Sequence, residues 1–446
     1  MDALNDLLKR YDKPGPRYTS YPTAVEFHDG IGAAEYAVHL GAAAQRSGPI
    51  GFYIHLPFCE ERCLFCGCNV VITKKSGIAS RYLVHLEQEI AEVGRRLGGN
   101  RPIAQYHWGG GTPTYYSPED MRRIHNHVRR FFEFEDDAEM AIEVDPRVTT
   151  VEHLETLRDL GFNRLSMGVQ DFDADVQKAV GRDQPYDMTA KLLETARSLG
   201  FHSTNLDLIY GLPLQTPERF AETLRLVSGL RPDRIAFYSY AHVPWLKGHQ
   251  RKLTEDQLPT PEVKLGLYCS ALEEFRKQGY RAIGMDHFAL PEDEMALAAD
   301  AGTLGRNFMG YTVKHASDLI ACGVSGIGEV GGAFFQNRRK LIEYENAIDE
   351  NNLAVDRGYI LSEDDKLRRR IIAELMCGFR TDLGDHDFSE ELAALEPMVK
   401  DGLVAIDGTK VSVMEQGRLF VRNVCMAFDA HLKHHAKEKQ RFSRTV

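Results

Sequence analysis

Between residues 50 and 240 the apolar positions switch repeatedly between two periods. Short runs rich in β-branched and aromatic residues read as strands: Gly51–Leu56, Ile103–Trp108, Glu139–Val144, Arg164–Val169, Thr204–Tyr210 and Arg234–Tyr240. Between them Ala79–Leu97, Pro118–Phe134, Val151–Leu160, Asp187–Leu199 and Pro217–Leu230 have helical spacing; in the last, Phe220, Leu224 and Val227 share one face. Such alternation means parallel strands joined by right-handed crossovers, hence an α/β sheet or barrel. The units are fewer than the eight of a closed barrel, so the pattern predicts an open, partial (β/α)6 barrel. Polar and Gly-rich clusters fall where the strands stop: Cys59–Asn69, Gly109–Thr112, Glu143 with Asp145, Gln170 with Asp171, and Tyr240–His242, while Asp207 lies within the fifth strand. Ligands of parallel α/β folds bind at the carboxyl ends of strands, so these clusters predict one pocket on that rim.

Outside this region the pattern changes. Residues 1–35 carry Pro, Gly and Tyr without either period and read as an N-terminal arm, leaving 36–355 for the barrel. Beyond 355, Ser362 followed by Asp365 forms a capping box, with Leu367, Ile371, Ile372 and Leu375 as the apolar stripe behind it. Leu403–Ile406 and Lys410–Val413 flank Asp407-Gly408, a hairpin signal. Residues 356–446 therefore read as a small, mainly helical, winged-helix-like domain, ending in a basic, solvated tail around Lys433–Arg444.

The 446 residues allow two or three domains. With 54 Lys and Arg against 65 Asp and Glu, the net charge is −11, which argues against nucleic acid as a partner despite the winged-helix pattern. No apolar run approaches the roughly 18 residues that a membrane helix needs. The first residues mix acids, bases and Leu without the apolar core of a signal peptide, so the reading is a soluble, cytoplasmic protein.

Eight cysteines are too few for a disulfide scaffold. Cys269, Cys322, Cys377 and Cys425 are scattered in apolar surroundings and read as small buried hydrophobes. Cys59, Cys63, Cys66 and Cys68 fall within ten residues, the first three as C-x3-C-x2-C. Structural zinc takes four ligands in paired sets, and no second pair follows here. Three thiolates on one loop suit three irons of a [4Fe–4S] cluster, leaving the fourth iron open to a substrate or cofactor. Zinc remains the alternative.

With this motif closing the first strand of a partial barrel, the chain resembles the radical S-adenosylmethionine (SAM) superfamily. Further segments narrow the resemblance: PGPRYTSYPTA (14–24), YIHLPFC (53–59), CLFCGCN (63–69), HWGGGTPT (107–114), EVDPR (143–147), NRLSMGVQDF (163–172), TNLDLIYGLP (204–213), MDHFA (285–289) and RNFMGYT (306–312). Through these the chain resembles the oxygen-independent coproporphyrinogen III oxidase family over nearly its whole length. The resemblance implies oxidative decarboxylation of two propionates of coproporphyrinogen III to vinyls, giving protoporphyrinogen IX for haem biosynthesis, through a 5′-deoxyadenosyl radical. It implies one [4Fe–4S] cluster on Cys59, Cys63 and Cys66, two SAM molecules, an external one-electron reductant such as flavodoxin or ferredoxin, and a monomer.

By the same resemblance Tyr53, Phe65, Gly110, Gly111, Thr112, Glu143 and Ile327 bind cofactor, while Gln170, Arg182, Asp207 and Ala241 contact the second SAM. Tyr53 and Cys68 are the catalytic candidates, and the arm runs across the active site, leaving the barrel core independent of it. Met309 stands where some members of the family carry Gln beside the second SAM. Arg17, Lys247, Arg251 and Lys252 are candidates for holding propionates. A haem chaperone of the superfamily lacks the YTSYPT arm and the Cys68 equivalent; a haem-opening methyltransferase shares the core. A non-enzymatic iron–sulfur or zinc module would leave the rim residues unexplained.

Overall fold

The structure is a computed structural model that describes residues 2–99, 101–351, 353–432, 442 and 444. Six strands appear close to where the pattern places them: β1 (Ile50–Leu56), β2 (Ile103–Gly110), β3 (Phe134–Val144), β4 (Arg164–Gln170), β5 (Ser203–Tyr210) and β6 (Arg234–Ser239). They pair in parallel in that order. A seventh parallel strand, β7 (Asp318–Cys322), lies on the other side of β1, so the parallel part is one strand wider than predicted. Antiparallel strands extend both edges: Ile327–Glu329, Ala333–Asn337 and Val355–Ile360 beyond β7, and His287–Ala289 with Arg281–Ile283 beyond β6. The sheet stays open.

Each parallel strand divides its side chains by period two. Phe52, Ile54, Tyr106, Trp108, Met140, Ile142, Leu165, Met167, Leu206 and Leu208 enter the main apolar core. The alternate positions are polar: Gln105, His107, Glu139, Glu143, Arg164, Ser166, Asn205 and Asp207 line cavities. Ordinary barrels fill that inner face with branched apolar side chains. Here it is left polar and partly empty.

The expected helix Pro118–Phe134 stops at Val128, because Phe134 opens β3 and pairs with Ile103 of β2. The helix Ala174–Val180, capped by the Asp173 carboxylate, adds a turn that periodicity did not reveal. Strand Val355–Ile360 straddles the boundary expected at 355.

The C-terminal unit runs helix Glu363–Gly378, strand Arg380–Asp382, helix Ser389–Lys400, then the hairpin Val404–Asp407 and Lys410–Val413, a winged-helix-like order. Ser362 and Asp365 form the capping box. The hairpin turns at Gly408-Thr409, since Asp407 still pairs with Lys410. Tyr18 and Tyr21 of the arm are buried in this unit's core beside Ile371, Leu375 and Phe428. Cys322, Cys377 and Cys425 are buried as expected, whereas Cys269 is partly exposed. Of the basic tail only Phe442 and Arg444 are described; Arg444 pairs with Asp12 at 2.5 Å. No described helix is long and apolar enough to cross a membrane.

Candidate active site

Cys59 ends a two-residue strand, Phe58–Cys59, that pairs with Val71–Ile72 and pinches off the loop between them. Val71 N–H donates to Pro57 O (2.8 Å) and Thr73 N–H to Cys59 O (3.0 Å), locking both ends. Just past β2, Gly111 and Thr112 donate to Leu56 O and Phe58 O at 2.8 and 2.9 Å. Only glycine fits there. A Cβ on Gly111 would meet the Pro57 backbone at 2.6 Å, and Gly110, at φ +118°, would push one into the His55 ring at 2.7 Å. The glycines thus make room first for the cysteine loop and His55, which the ligand reading alone does not anticipate.

The four cysteines line one pocket of about 150 Å³ together with Phe65, Gly110, Gly111, Thr112, Glu143, Gln170, Arg182 and Asp207. Cys63 Sγ accepts from Arg147 and Arg182, each at 3.5 Å, and Cys59 Sγ lies 3.4 Å from Thr112 Oγ1. The hydrogen bond from Cys68 brings the Cys66 thiol down to about 6, whereas burial pushes Cys59 up to about 11. Both would bind iron as thiolates, so Cys59 would release its proton on binding metal. Among the described residues no three Cys, His, Asp or Glu side chains converge on a single-ion site. Thiolates spread around one pocket suit a cubane, in which each binds its own iron, better than zinc.

Arg182, expected at the second SAM, is engaged by the protein itself. It is buried, and its guanidinium donates to Gly168 O (2.7 Å), Gln184 Oε1 (3.0 Å) and Asp145 Oδ2 (3.2 Å) as well as Cys63. Gln170 closes β4 at φ +71°, a left-handed conformation costly for a non-glycine residue, and its side chain lines the pocket. Ala241 is outside the pocket and tied to it indirectly: Gln250 Nε2 donates to Ala241 O (3.3 Å) and to Phe65 O (3.1 Å). His249 Nε2 completes the clasp at Cys66 O, 2.9 Å away.

Cys68, Gly110 and Glu143 also border a second cavity of about 620 Å³, lined further by Tyr53, His107, Met309 and Ile327 and by the cations Lys247, Arg339 and Lys340. The Tyr53 hydroxyl is 3.1 Å from His55 Nδ1, and its ring stacks on His107 at 5.9 Å. Behind both lies a polar chamber of about 150 Å³ between the inward side chains of β2 to β6. Glu143 lines all three spaces. Its carboxylate accepts from Gly110 N–H at 3.1 Å and meets His107 Nε2 at 3.4 Å. Burial works against the charge, but His107, Gly110 and His55 together hold the carboxyl below its ordinary range. Burial, then the charge of Glu143, raises Asp207 to about 6, although Asn205 donates to it at 2.7 Å. The two acids are thus set apart in protonation.

Of the propionate candidates, Lys247 lines the large cavity. Arg17 donates to Ser239 O at the end of β6 (3.1 Å), and Arg251 and Lys252 sit exposed on the turn Gly248–Lys252. Sequence reading missed His55, His107, Arg147, Arg339 and Lys340. The polar Gln105 and His107 at alternate positions of β2 mark His107; Arg339 and Lys340 carry no local signal.

The radical SAM superfamily pattern matches residues 53–227. The oxygen-independent coproporphyrinogen III oxidase of Escherichia coli (strain K12) is 45% identical, over 99% of this chain and 98% of its own length. That of Helicobacter pylori (strain J99) is 42% identical over 98% of each. Among solved structures, coproporphyrinogen III oxidase from Escherichia coli, described as a radical SAM enzyme, superposes with a TM-score of 0.91 at 44% identity, covering 96% of this chain and 98% of that one. A match of this extent, on a fold and a three-cysteine pocket already in place, puts the chain in the oxygen-independent coproporphyrinogen III oxidase family of radical SAM enzymes.

Proposed function

We infer that the chain carries out the oxygen-independent oxidative decarboxylation of coproporphyrinogen III, turning two propionates into vinyl groups to give protoporphyrinogen IX. The observation that carries this reading is the junction at Cys68, Gly110 and Glu143, where the three-cysteine pocket opens into the cation-walled cavity of about 620 Å³. A substrate with four propionates on a chain of net charge −11 needs such a local wall, and Lys247, Arg339 and Lys340 provide it.

No side-chain base removes hydrogen from an unactivated β-carbon, so the hard step belongs to a cofactor while the protein positions and shields. Cys59, Cys63 and Cys66 would hold a [4Fe–4S] cluster which, with SAM bound and an external one-electron reductant, would supply the radical chemistry that removes the propionate β-hydrogen. Each decarboxylation would release carbon dioxide and pass one electron to an acceptor outside the chain, and the second propionate would require a second SAM. Glu143, ionised at neutral pH, accepts hydrogen bonds from hydroxyl or ammonium donors of SAM on the pocket side, with Gly110, Gly111 and Thr112 beside it. Phe65, in the cysteine loop, lies against the first SAM; Gln170, Asp207 and Ala241 serve the second, with Arg182 orienting Cys63 and Asp145. Tyr53, Cys68, Ile327 and Met309 face the substrate side. The arm, anchored by Arg17 at the end of β6, keeps water from the rim.

Coproporphyrinogen III deuterated at the propionate β-carbons tests the assignment in anaerobically reconstituted protein. Deuterium should appear in 5′-deoxyadenosine; its complete absence from 5′-deoxyadenosine formed during turnover would contradict hydrogen abstraction at that carbon.

A further inference from the structure

The sulfurs of the three candidate cluster ligands are not met alike. Cys59 Sγ has the neutral Thr112 hydroxyl at 3.4 Å, and Cys66 Sγ accepts the Cys68 backbone N–H at 3.4 Å. Cys63 Sγ instead accepts from two guanidiniums, Arg147 Nη2 and Arg182 Nη1, each at 3.5 Å. Among the described residues no other cysteine sulfur takes a hydrogen bond from a charged side chain.

Both arginines are fixed from behind. Arg147 follows β3 in the turn Asp145-Pro146-Arg147, where Asp145 accepts from its backbone N–H (3.0 Å), Nε (3.0 Å) and Nη2 (2.7 Å). Arg182 Nη1 shares Asp145 Oδ2 at 3.2 Å. Two cations and one carboxylate therefore surround one sulfur. Burial works against the Asp145 charge, but Arg182 and Arg147 hold its carboxyl below its ordinary range, which leaves one positive charge in excess. Cys63 and Arg182 are buried and Arg147 largely so, and solvent screens such charges little. The loop does not need this arrangement to stay in place: Leu64 N–H donates to Val180 O at 2.8 Å, and Cys66 N–H to Cys63 O at 3.2 Å.

We propose, on the reading that Cys59, Cys63 and Cys66 hold the cluster, that Arg147 sets the reduction potential of that cluster through its hydrogen bond to Cys63 Sγ. One electron from the external carrier adds one negative charge to the cluster. A charge-assisted hydrogen bond to a ligand sulfur stabilises the more negative state, so Arg147 makes the electron easier to accept. Arg182 acts on the same sulfur but also stands beside the second SAM. Arg147 lines neither the large cavity nor the polar chamber, so its effect on the cluster is separable from substrate binding.

Anaerobic redox titration of the cluster-loaded full chain, without SAM or substrate and followed by electron paramagnetic resonance of the reduced cluster, tests this. Arg147→Met should take up iron and sulfide as the parent does and be about tenfold harder to reduce, a potential about 59 mV lower. Asp145→Asn, which removes the negative charge beside the same sulfur, should move the potential the other way. Damage to the loop alone would not give opposite shifts. Should Arg147→Met take up no cluster, Asp145→Asn decides alone. A potential unchanged in a loaded variant, or lowered in Asp145→Asn, overturns the proposal, and failure of both variants to load would show that the pair builds the pocket instead of tuning it. A parent that takes up no cluster overturns the underlying ligand reading and the proposal with it.

Discussion

Cys59, Cys63 and Cys66 share a pocket because the Phe58–Cys59 and Val71–Ile72 pairing folds their loop back under Thr112. Cys68 is the exposed member, turned to the boundary with the large cavity. Replacing any of the first three by Ser should remove the cluster absorbance of anaerobically prepared protein, while Cys68→Ser should keep it. Retention in Cys63→Ser, or loss in Cys68→Ser, would sink the ligand assignment. These cysteines were legible because their spacing is local. Arg147, which reaches Cys63 from beyond the end of β3, was not, because tertiary pairing of β3 with β4 brings it there. His107 was half legible: Gln105 and His107 alternate with Tyr106 and Trp108, a strand pattern with a polar inner face, but such alternation equally describes a face open to solvent.

At the scale of elements, the helix Ser76–Leu97 is tied to the sheet by the fully buried Glu89. Its carboxyl accepts from Tyr344 OH (2.7 Å), Gly323 N–H (2.7 Å) and Asn337 Nδ2 (2.6 Å). Burial nevertheless pushes it up to about 7, above its ordinary 4.5. The folded state then holds this proton more tightly than the unfolded chain, so the group's contribution to stability is complete below about pH 4.5 and is lost as pH rises through about 7. Denaturant unfolding at pH 5 and pH 8 should show Glu89→Gln flattening the fall in stability seen in the parent, by at most about 3 kcal/mol. An identical slope in both proteins would show that Glu89 ionises freely. Regular elements were the most legible part of the fold, since six strands carry strong apolar runs. β7 was missed: Asp318–Cys322 is five residues long and gains its place only by pairing with β1. The helix ending at Val128 was overrun because Phe131 and Phe132 continue its apolar period into a turn.

Across the whole molecule the arm is part of the C-terminal unit as much as a cover for the site. Tyr18 donates to the buried Asp429 at 2.9 Å, and the buried Arg422 donates to Pro16 O at 2.8 Å and to Gly15 O. Sequence reading treats the arm as dispensable to the barrel core; the structure corrects this, since Ile31 is buried in that core and deleting 1–35 removes it as well as two tyrosines from the C-terminal core. Tyr18→Phe, which leaves Asp429 without that donor, should lower stability by about 1–3 kcal/mol with the cluster still loaded. No measurable change would mean that water replaces the hydroxyl. The central claim is that the cysteine pocket and the cation-walled cavity act as one site on coproporphyrinogen III. Its most direct test is an anaerobic turnover of the reconstituted, reduced protein with SAM, counting 5′-deoxyadenosine and protoporphyrinogen IX together. About two 5′-deoxyadenosine per protoporphyrinogen IX are expected, from one SAM for each propionate lost. Vigorous SAM cleavage with no decarboxylated tetrapyrrole, or a methylated product in its place, would contradict it.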